Sequence, residues 1–140
     1  MPTFVKFDCF TQDLGRKVHN LNADTIKVML TNTAPNVSTN TVKTDITEIT
    51  AAHGYTAGGT AIGANAYAQT SGVAKFTGSD VVFTASGGSF GPFRYAVVYN
   101  DTAASDQLIG YIDHGSSISV TAPDSYTFDI DATNGLFTNG

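Results

Sequence analysis

A serine flanked by glycines is the first candidate for chemistry in this sequence. The stretch Gly87-Gly88-Ser89-Phe90-Gly91 fits the G-x-S-x-G pattern of hydrolase nucleophiles, and Asp113-His114 supplies the other two residue types of a triad. Such a nucleophile needs a helix directly after it, whereas Pro92 and a strand-like segment follow here. Neighbouring residues on a strand point to opposite faces, so Asp113 and His114 would not both turn toward Ser89. We therefore expect a glycine-rich turn, no catalytic residue and no enzyme.

Metal and phosphate binding are the next chemistries to consider. The three histidines lack a second His or Cys at ligand spacing: His19, His53 and His114. Asp129, Asp131 and Asn134-Gly135 approach a calcium-loop spacing, but the glycine comes one residue late and the twelfth position is Gly140 instead of Glu. An incidental cation held by Asp129 and Asp131 at a subunit contact stays open. We expect no metal site and no cofactor.

A glycine-rich segment and a set of aromatic residues could each bind a ligand, but each also has a purely structural explanation. The glycines from Gly58-Gly59 to Gly63 lack both a dinucleotide fingerprint and a following lysine, so we do not expect a phosphate cradle. Six aromatic residues could form a ligand platform, although core packing is the use that we expect. They are Phe93, Tyr95, Tyr99, Tyr111, Tyr126 and Phe128.

Composition narrows the class of protein. Charged residues make up 14% of the 140 residues, and 20 Thr outnumber the 7 Lys plus Arg, which is typical of β proteins with small polar surfaces. The net charge of −5 with no basic run argues against a nucleic-acid partner, and no apolar stretch approaches the ~18 residues of a membrane span. Cys9 is alone, which excludes an internal disulfide and fits synthesis in the cytosol.

The stretch from Val81 to Asp101 organises the rest of the chain. A strand at 81–85, a turn at 86–92 and a longer strand at 93–99 are predicted from its β-branched and aromatic runs. In the longer strand, alternation puts Phe93, Tyr95, Val97 and Tyr99 on one face. Both faces are largely apolar, so this strand should lie mid-sheet with a packed layer on each side.

The N-terminal half contains one predicted helix and two long loops. Phe10, Leu14, Val18 and Leu21 recur at helical spacing, which predicts a helix over about residues 8–20 with Asp8 as its N-cap. Segments 31–44 and 53–65 are predicted loops, the second one wrapping an edge or a neighbour with little packing capacity of its own. A short helical turn is predicted within 44–52.

Strand-like segments of similar spacing fill most of the remainder. The predicted strands are 4–7, 25–30, 66–70, 73–77, 81–85, 93–99, 107–112, 117–121, 126–130 and 136–138. This pattern predicts a mainly all-β fold, an antiparallel β-sandwich of jelly-roll-like character with one short N-terminal α-helix. We expect residues 1–140 to form a single domain.

Five blocks of this sequence, in this order, resemble a family of small virion proteins of tailed bacteriophages, some of the capsid cement or decoration type. The blocks are 28–35 (VMLTNTAP), 45–49 (DITEI), 54–59 (GYTAGG), 83–95 (FTASGGSFGPFRY) and 115–118 (GSSI). The resemblance implies a structural role in the virion and no catalytic residues to carry over.

Three functions remain open at this stage. We expect a capsid decoration protein that binds the assembled head at capsomer junctions and reinforces it. Its partners would be the major capsid protein and copies of itself, most simply in a homotrimer, with no nucleic acid and no membrane. A tail or head–tail junction protein is the alternative. A carbohydrate-binding module or hydrolase is less favoured, since the chain has no Trp for a sugar-binding face.

Overall fold

The computed structural model describes residues 3–140 as a chain of short strands with one α-helix in that range. The elements are β1 (Phe4–Lys6), α1 (Asp8–Gly15), β2 (Ile26–Thr31), a 3-10 turn (Lys43–Asp45), β3 (Thr60–Ala61), β4 (Ala66–Thr70), β5 (Val73–Thr77), β6 (Val81–Thr84), β7 (Ser89–Asn100), β8 (Leu108–Thr121), β9 (Ser125–Phe128) and β10 (Phe137–Asn139). None of the helices in this range has the length and apolar character needed to cross a lipid bilayer.

The strands form three sheets, and every pair within them is antiparallel. The main sheet has five strands in the order β1-β8-β7-β2-β3, a second sheet has the order β10-β5-β4, and β6 pairs with β9. The prediction of a mainly β, antiparallel fold with one short N-terminal helix is confirmed. The sandwich arrangement and its jelly-roll-like connectivity stay predictions.

Strand β7 lies in the middle of the main sheet and is covered on both faces, as predicted from its two apolar faces. One face carries Ala96 and Val98, which pack with side chains from β2, from both smaller sheets and from α1. The opposite face carries Val97 and Tyr99, which pack with Phe7 and other buried residues. The core therefore has a large part on one side of the main sheet and a small part on the other.

The alternation predicted for β7 is wrong at Phe93. This ring packs in the large cluster with Ala96 and Val98, not with Val97 and Tyr99. The reason is a register shift, because Phe93 pairs with Ile118 while Tyr95 pairs with Asp113, so β8 bulges between these pairs. A bulge of this kind breaks the period-2 alternation that sequence reasoning assumes.

The helix is shorter than predicted. It ends at Gly15, and Lys17 has a φ of 67°, a left-handed conformation that stops the helix. Phe7 occupies the N-cap position without a side-chain bond, and Asp8 lies in the first turn, where a negative charge suits the helix dipole. Leu21 nevertheless reaches the core from the loop beyond the helix.

Several strand boundaries also differ. The predicted strands 107–112 and 117–121 form one long strand, β8, and the expected turn at 86–92 is shorter because β7 already begins at Ser89. The predicted helical turn in 44–52 is confined to a 3-10 turn at Lys43–Asp45. Strand β3, which pairs with the edge of β2, was not predicted.

The loop at 53–65 wraps the edge of the main sheet, as expected, but the prediction that it packs little is wrong. Tyr55 and Ile62 are 3% and 4% exposed and belong to the large core cluster. Gly59 approaches β2 so closely that a Cβ atom there would lie 1.8 Å from the carbonyl oxygen of Val28. This loop is therefore part of the packed body of the protein.

Candidate interaction surface

The residues of the G-x-S-x-G pattern do not form a nucleophile elbow. Ser89 is the first residue of β7, and its exposed hydroxyl hydrogen bonds to the hydroxyl of Thr121 at 2.8 Å on the adjacent strand. Asp113 forms a bidentate pair with Arg94, at 2.8 and 3.1 Å, which lowers the pKa of the carboxyl. The structure thus brings Ser89 together with a threonine, and Asp113 with an arginine.

His114 lies in an aromatic corner of the molecule. Its Nε2 shares a hydrogen bond of 2.6 Å with the hydroxyl of Tyr126, and its ring meets the rings of Phe93 and Tyr126 edge-on. Burial lowers the pKa of this imidazole, so the neutral form is favoured. As expected for adjacent strand residues, His114 and Asp113 bind different partners.

The other two histidines have packing roles. His19 is 6% exposed and its Nδ1 hydrogen bonds to the side-chain nitrogen of Asn100 at 3.0 Å, which in turn donates to Asp24 at 2.7 Å. The Nε2 atom of His19 is buried without a hydrogen-bond partner, and burial lowers the pKa of the ring. His53 is exposed and lies against Gly88, where a Cβ atom would come within 2.8 Å of its ring.

The acidic residues near the C-terminus close a turn. The Asp131 carboxylate accepts backbone N–H bonds from Asn134 and Thr133, both at 2.8 Å, which lowers the pKa of this carboxyl. This turn accounts for the Asp-x-x-Asn-Gly spacing that resembled a calcium loop. Within residues 3–140, no cluster of three or more His, Cys, Asp or Glu could hold a metal ion.

The six aromatic residues considered as a ligand platform are mostly buried. Phe93, Tyr99 and Phe128 are 0% exposed. Tyr95 and Tyr126 are also buried, and Tyr111 is half-buried against Phe7 and Tyr95. These side chains are used in core packing and do not present an open aromatic face.

Glu48 binds the loop at 53–65 to the main sheet. This role of Glu48 was not predicted from the sequence. Its Oε2 accepts hydrogen bonds from the Tyr55 hydroxyl at 2.5 Å and from the Gly58 N–H at 2.6 Å. The Tyr55 hydroxyl oxygen also accepts the Leu30 N–H at 3.0 Å, and burial raises the pKa of this phenol. A concave surface of about 270 Å³ lies beside Glu48, whose Oε2 is used by these two bonds.

The hairpin formed by β4 and β5 extends residues into solvent that core packing does not account for. Ser71 and Gly72 have φ values of 51° and 84°, the left-handed pair that closes a two-residue hairpin. At its tip the residues from Ala68 to Val73 are exposed, on both faces of the hairpin. Strand β10 pairs with β5 from Ala74 to Phe76, so the exposed tip is the end of a three-stranded sheet.

The inner face of this hairpin anchors it to the body at its base. Phe76 is 0% exposed and stacks on Phe137 of β10, which in turn stacks on Phe4 of β1. The Tyr67 hydroxyl accepts a hydrogen bond of 2.9 Å from the Asn139 side chain. The hairpin is therefore held rigidly at one end and presents the other end to solvent.

The outer face of the same sheet is a shallow concave surface with a volume of about 280 Å³. Six side chains line it: Ala68, Thr70, Val73, Lys75, Thr77 and Thr138. Lys75 is the single charge among them, and its Nζ is engaged by the carbonyl oxygen of Thr133 at 2.6 Å. The surface thus consists of small apolar and hydroxyl-bearing groups, with Val73 43% exposed.

The composition of strand β4 is a sequence signal for this surface. Strand 66–70 reads Ala-Tyr-Ala-Gln-Thr. It has no run of large apolar residues that would bury it in a core, and no charged residue that would favour exposure to solvent. We name the hairpin 66–77 together with Thr138 the hairpin surface.

Comparison with protein-family models, curated proteins and solved structures found no significant match to this chain.

Proposed function

We propose that this chain is a structural protein of a bacteriophage virion, a decoration protein that binds the assembled head where capsomers meet. The observation that carries the proposal is the hairpin surface, which is exposed, concave, rigidly held at its base and nearly free of charge. The resemblance of the five sequence blocks to phage virion proteins supplies the virion context.

The chemistry of the hairpin surface suits a protein partner. Interfaces between proteins are depleted of charged residues at their centre, and the single charge here, Lys75, is engaged by the Thr133 carbonyl oxygen. Small side chains such as Ala68, Thr70 and Val73 allow close approach without a large entropy cost of ordering. Many copies of a weak contact, repeated by the symmetry of a shell, reach high avidity together.

A binding experiment with preformed heads tests this function. Purified chain is added to heads that lack it, and co-sedimentation measures the bound copies, with cryo-EM locating them at capsomer junctions. Val73→Asp should abolish binding, because it places a carboxylate at the most exposed large apolar side chain, at the tip of the hairpin surface. Val82→Asp is the matched control, since Val82 is 52% exposed on β6, outside that surface.

The outcomes separate the alternatives. Copies that purify with tails, and not with heads, would favour a tail or head–tail junction protein. Binding on a glycan array would favour the carbohydrate-binding module. Equal head binding by the two aspartate variants would remove the hairpin surface from the proposal.

A further inference from the structure

Strand β4 is an edge of its sheet, and the one side-chain contact to its outward backbone within residues 3–140 is the long bond from the Tyr67 N–H to Asn22. It lies at the end of the order β10-β5-β4, and it contains no Lys, Arg, Asp, Glu or Pro. Natural proteins commonly place such residues on edge strands to prevent pairing with another chain. The opposite edge of the same sheet, β10, is covered by Lys6, whose Nζ donates a hydrogen bond to the carbonyl oxygen of Thr138 at 2.5 Å.

The hairpin geometry determines which backbone groups of β4 face outward. In a hairpin closed by a two-residue turn, the flanking residues Thr70 and Val73 form a hydrogen-bonded pair, and the pairs alternate from there. The N–H and C=O groups of Tyr67 and Gln69 therefore point away from β5. The N–H of Tyr67 indeed donates to the side-chain oxygen of Asn22, at a long 3.2 Å, outside the hairpin.

We propose that β4 pairs antiparallel with β4 of a second copy of this chain, around a two-fold axis at Ala68. In this register Tyr67 of each copy faces Gln69 of the other. The Tyr67 N–H exchanges its long bond to the Asn22 side chain for the Gln69 carbonyl oxygen, and the other outward backbone groups of the two residues gain partners. The two three-stranded sheets become one continuous sheet of six strands. This inference deepens the proposed function and rests on it only for the idea that the hairpin is a contact element.

Charge explains why the occupant is a second copy. A two-fold contact places residues of the same kind near one another, so any charge on the pairing strand would meet a like charge. The chain carries a net charge of −5, yet β4 is charge-free. The one charged residue on the neighbouring strand β5, Lys75, would lie roughly 14 Å from its counterpart, three strand spacings of about 4.8 Å. That separation exceeds the screening length of about 8 Å at physiological ionic strength.

A two-fold contact of this kind changes the expected assembly. It closes at two copies, whereas a homotrimer requires head-to-tail contact between two different surfaces. The smallest assembly is then a dimer, and the outer concave face of the hairpin surface stays available to a shell.

A proline variant tests the pairing. Gln69→Pro removes an outward N–H and leaves the bonds between β4 and β5 in place, since proline is tolerated where the N–H faces away from the sheet. Gln69→Ala is its matched control, because both variants lose the bond from the Gly72 N–H to the Gln69 side chain but only alanine keeps the backbone N–H. Sedimentation velocity should give dimers for the native chain and for Gln69→Ala, and the mass of one chain for Gln69→Pro.

A cross-link tests the register without depending on the fold of the proline variant. Ala68→Cys, in a chain that also carries Cys9→Ser, should form a disulfide-linked dimer on mild oxidation, because the two cysteines face each other across the axis. Val82→Cys with Cys9→Ser is the control, since Val82 is also exposed but lies on another strand. Non-reducing electrophoresis should show the covalent dimer for the first variant and single chains for the second.

Several results would overturn the proposal. A native chain that sediments as a monomer at every concentration, or a dimer that Gln69→Pro leaves intact, excludes pairing through β4. A monomer whose head binding is lost in Gln69→Pro would show that the edge accepts a strand from the shell instead. A dimer that obeys the predictions but never binds heads would leave the pairing in place and remove the decoration function.

Discussion

At the scale of single residues, the stability of this protein depends on side chains that cover the middle strand from both sides. Val97 is 0% exposed and packs against Phe7, Met29 and Tyr99 on the smaller side of the main sheet. Loss of apolar contact there, or the introduction of a charge, affects the centre of the fold and not its periphery.

Val97→Lys should lower the free energy of unfolding by about 3–5 kcal/mol, because it buries an unpaired ammonium group. Val82→Lys, on an exposed position of β6, should change it by less than about 0.5 kcal/mol. Urea titration followed by circular dichroism measures both. A Val97→Lys protein as stable as the native chain would mean that β7 is not buried on both faces.

Acidification should weaken the fold through His19 and His114. Burial lowers the pKa of both imidazoles, so the folded chain keeps them neutral while the unfolded chain, with a histidine pKa near 6.5, binds protons. Stability is therefore full above about pH 6.5 and falls as the pH drops from there toward the folded-state pKa values. Urea titrations at about pH 7.5 and at about pH 5.5 should show this loss.

Substitution separates this effect from general acid sensitivity. His19→Gln should reduce the loss of stability between the two pH values, because it removes the buried imidazole whose pKa is lowered. The depressed pKa values of Asp113 and Asp131 act in a lower window, below about pH 4, where their carboxylates gain protons. An unchanged pH dependence in His19→Gln would contradict the role given to this residue.

At the scale of elements, the loop at 53–65 and the helix α1 each contain a glycine, Gly59 and Gly15, and of these two only Gly59 has no room for a side chain. A Cβ atom at Gly59 would collide with the backbone of β2, and its φ of 76° disfavours other residues. At Gly15, in the last turn of α1, the space around a Cβ atom is open.

Gly59→Ala should therefore destabilise the protein, by on the order of 2 kcal/mol or more, and release β3 from the edge of β2. Gly15→Ala should be neutral or stabilise it by up to about 1 kcal/mol, since alanine is the better helix former. Thermal unfolding of the two variants beside the native chain measures the difference. Equal melting temperatures would show that the close approach of the loop is not maintained in solution.

Local sequence patterns predicted those elements whose shape is set by their own residues. Strands β4 and β5 were predicted at their observed bounds, because their turn residues and strand formers are consecutive. The side of the sheet on which Phe93 packs could not be predicted, since it depends on a bulge in β8, a strand distant in sequence. The burial of Tyr55 likewise depends on Glu48 and Leu30, which no local pattern links to it. The hairpin surface could not be predicted from hydrophobic patterns, because these identify large apolar residues and this surface has few.

At the scale of the whole molecule, the surface carries few charges and many hydroxyl groups, with a net charge of −5 on 140 residues. The hairpin surface contains only Lys75, which is engaged by the Thr133 carbonyl. Attraction between opposite charges thus contributes little to a contact made through it.

Binding to heads should accordingly depend weakly on ionic strength. Salt screens exposed ion pairs, whereas burial of apolar and hydroxyl groups is largely insensitive to it. Co-sedimentation of the chain with heads at low and at high sodium chloride should give similar numbers of bound copies. A steep loss of binding with salt would indicate a charged surface elsewhere on the molecule as the contact.

The stacking of Phe4 on Phe137, at 5.1 Å between ring centroids, brings the first and last strands side by side. From Phe137 the chain runs along β5 to Gly140, which lies against Gly72 and Val73 at the hairpin tip. Cargo fused after Gly140 would emerge beside the hairpin surface and should weaken any contact that this surface makes.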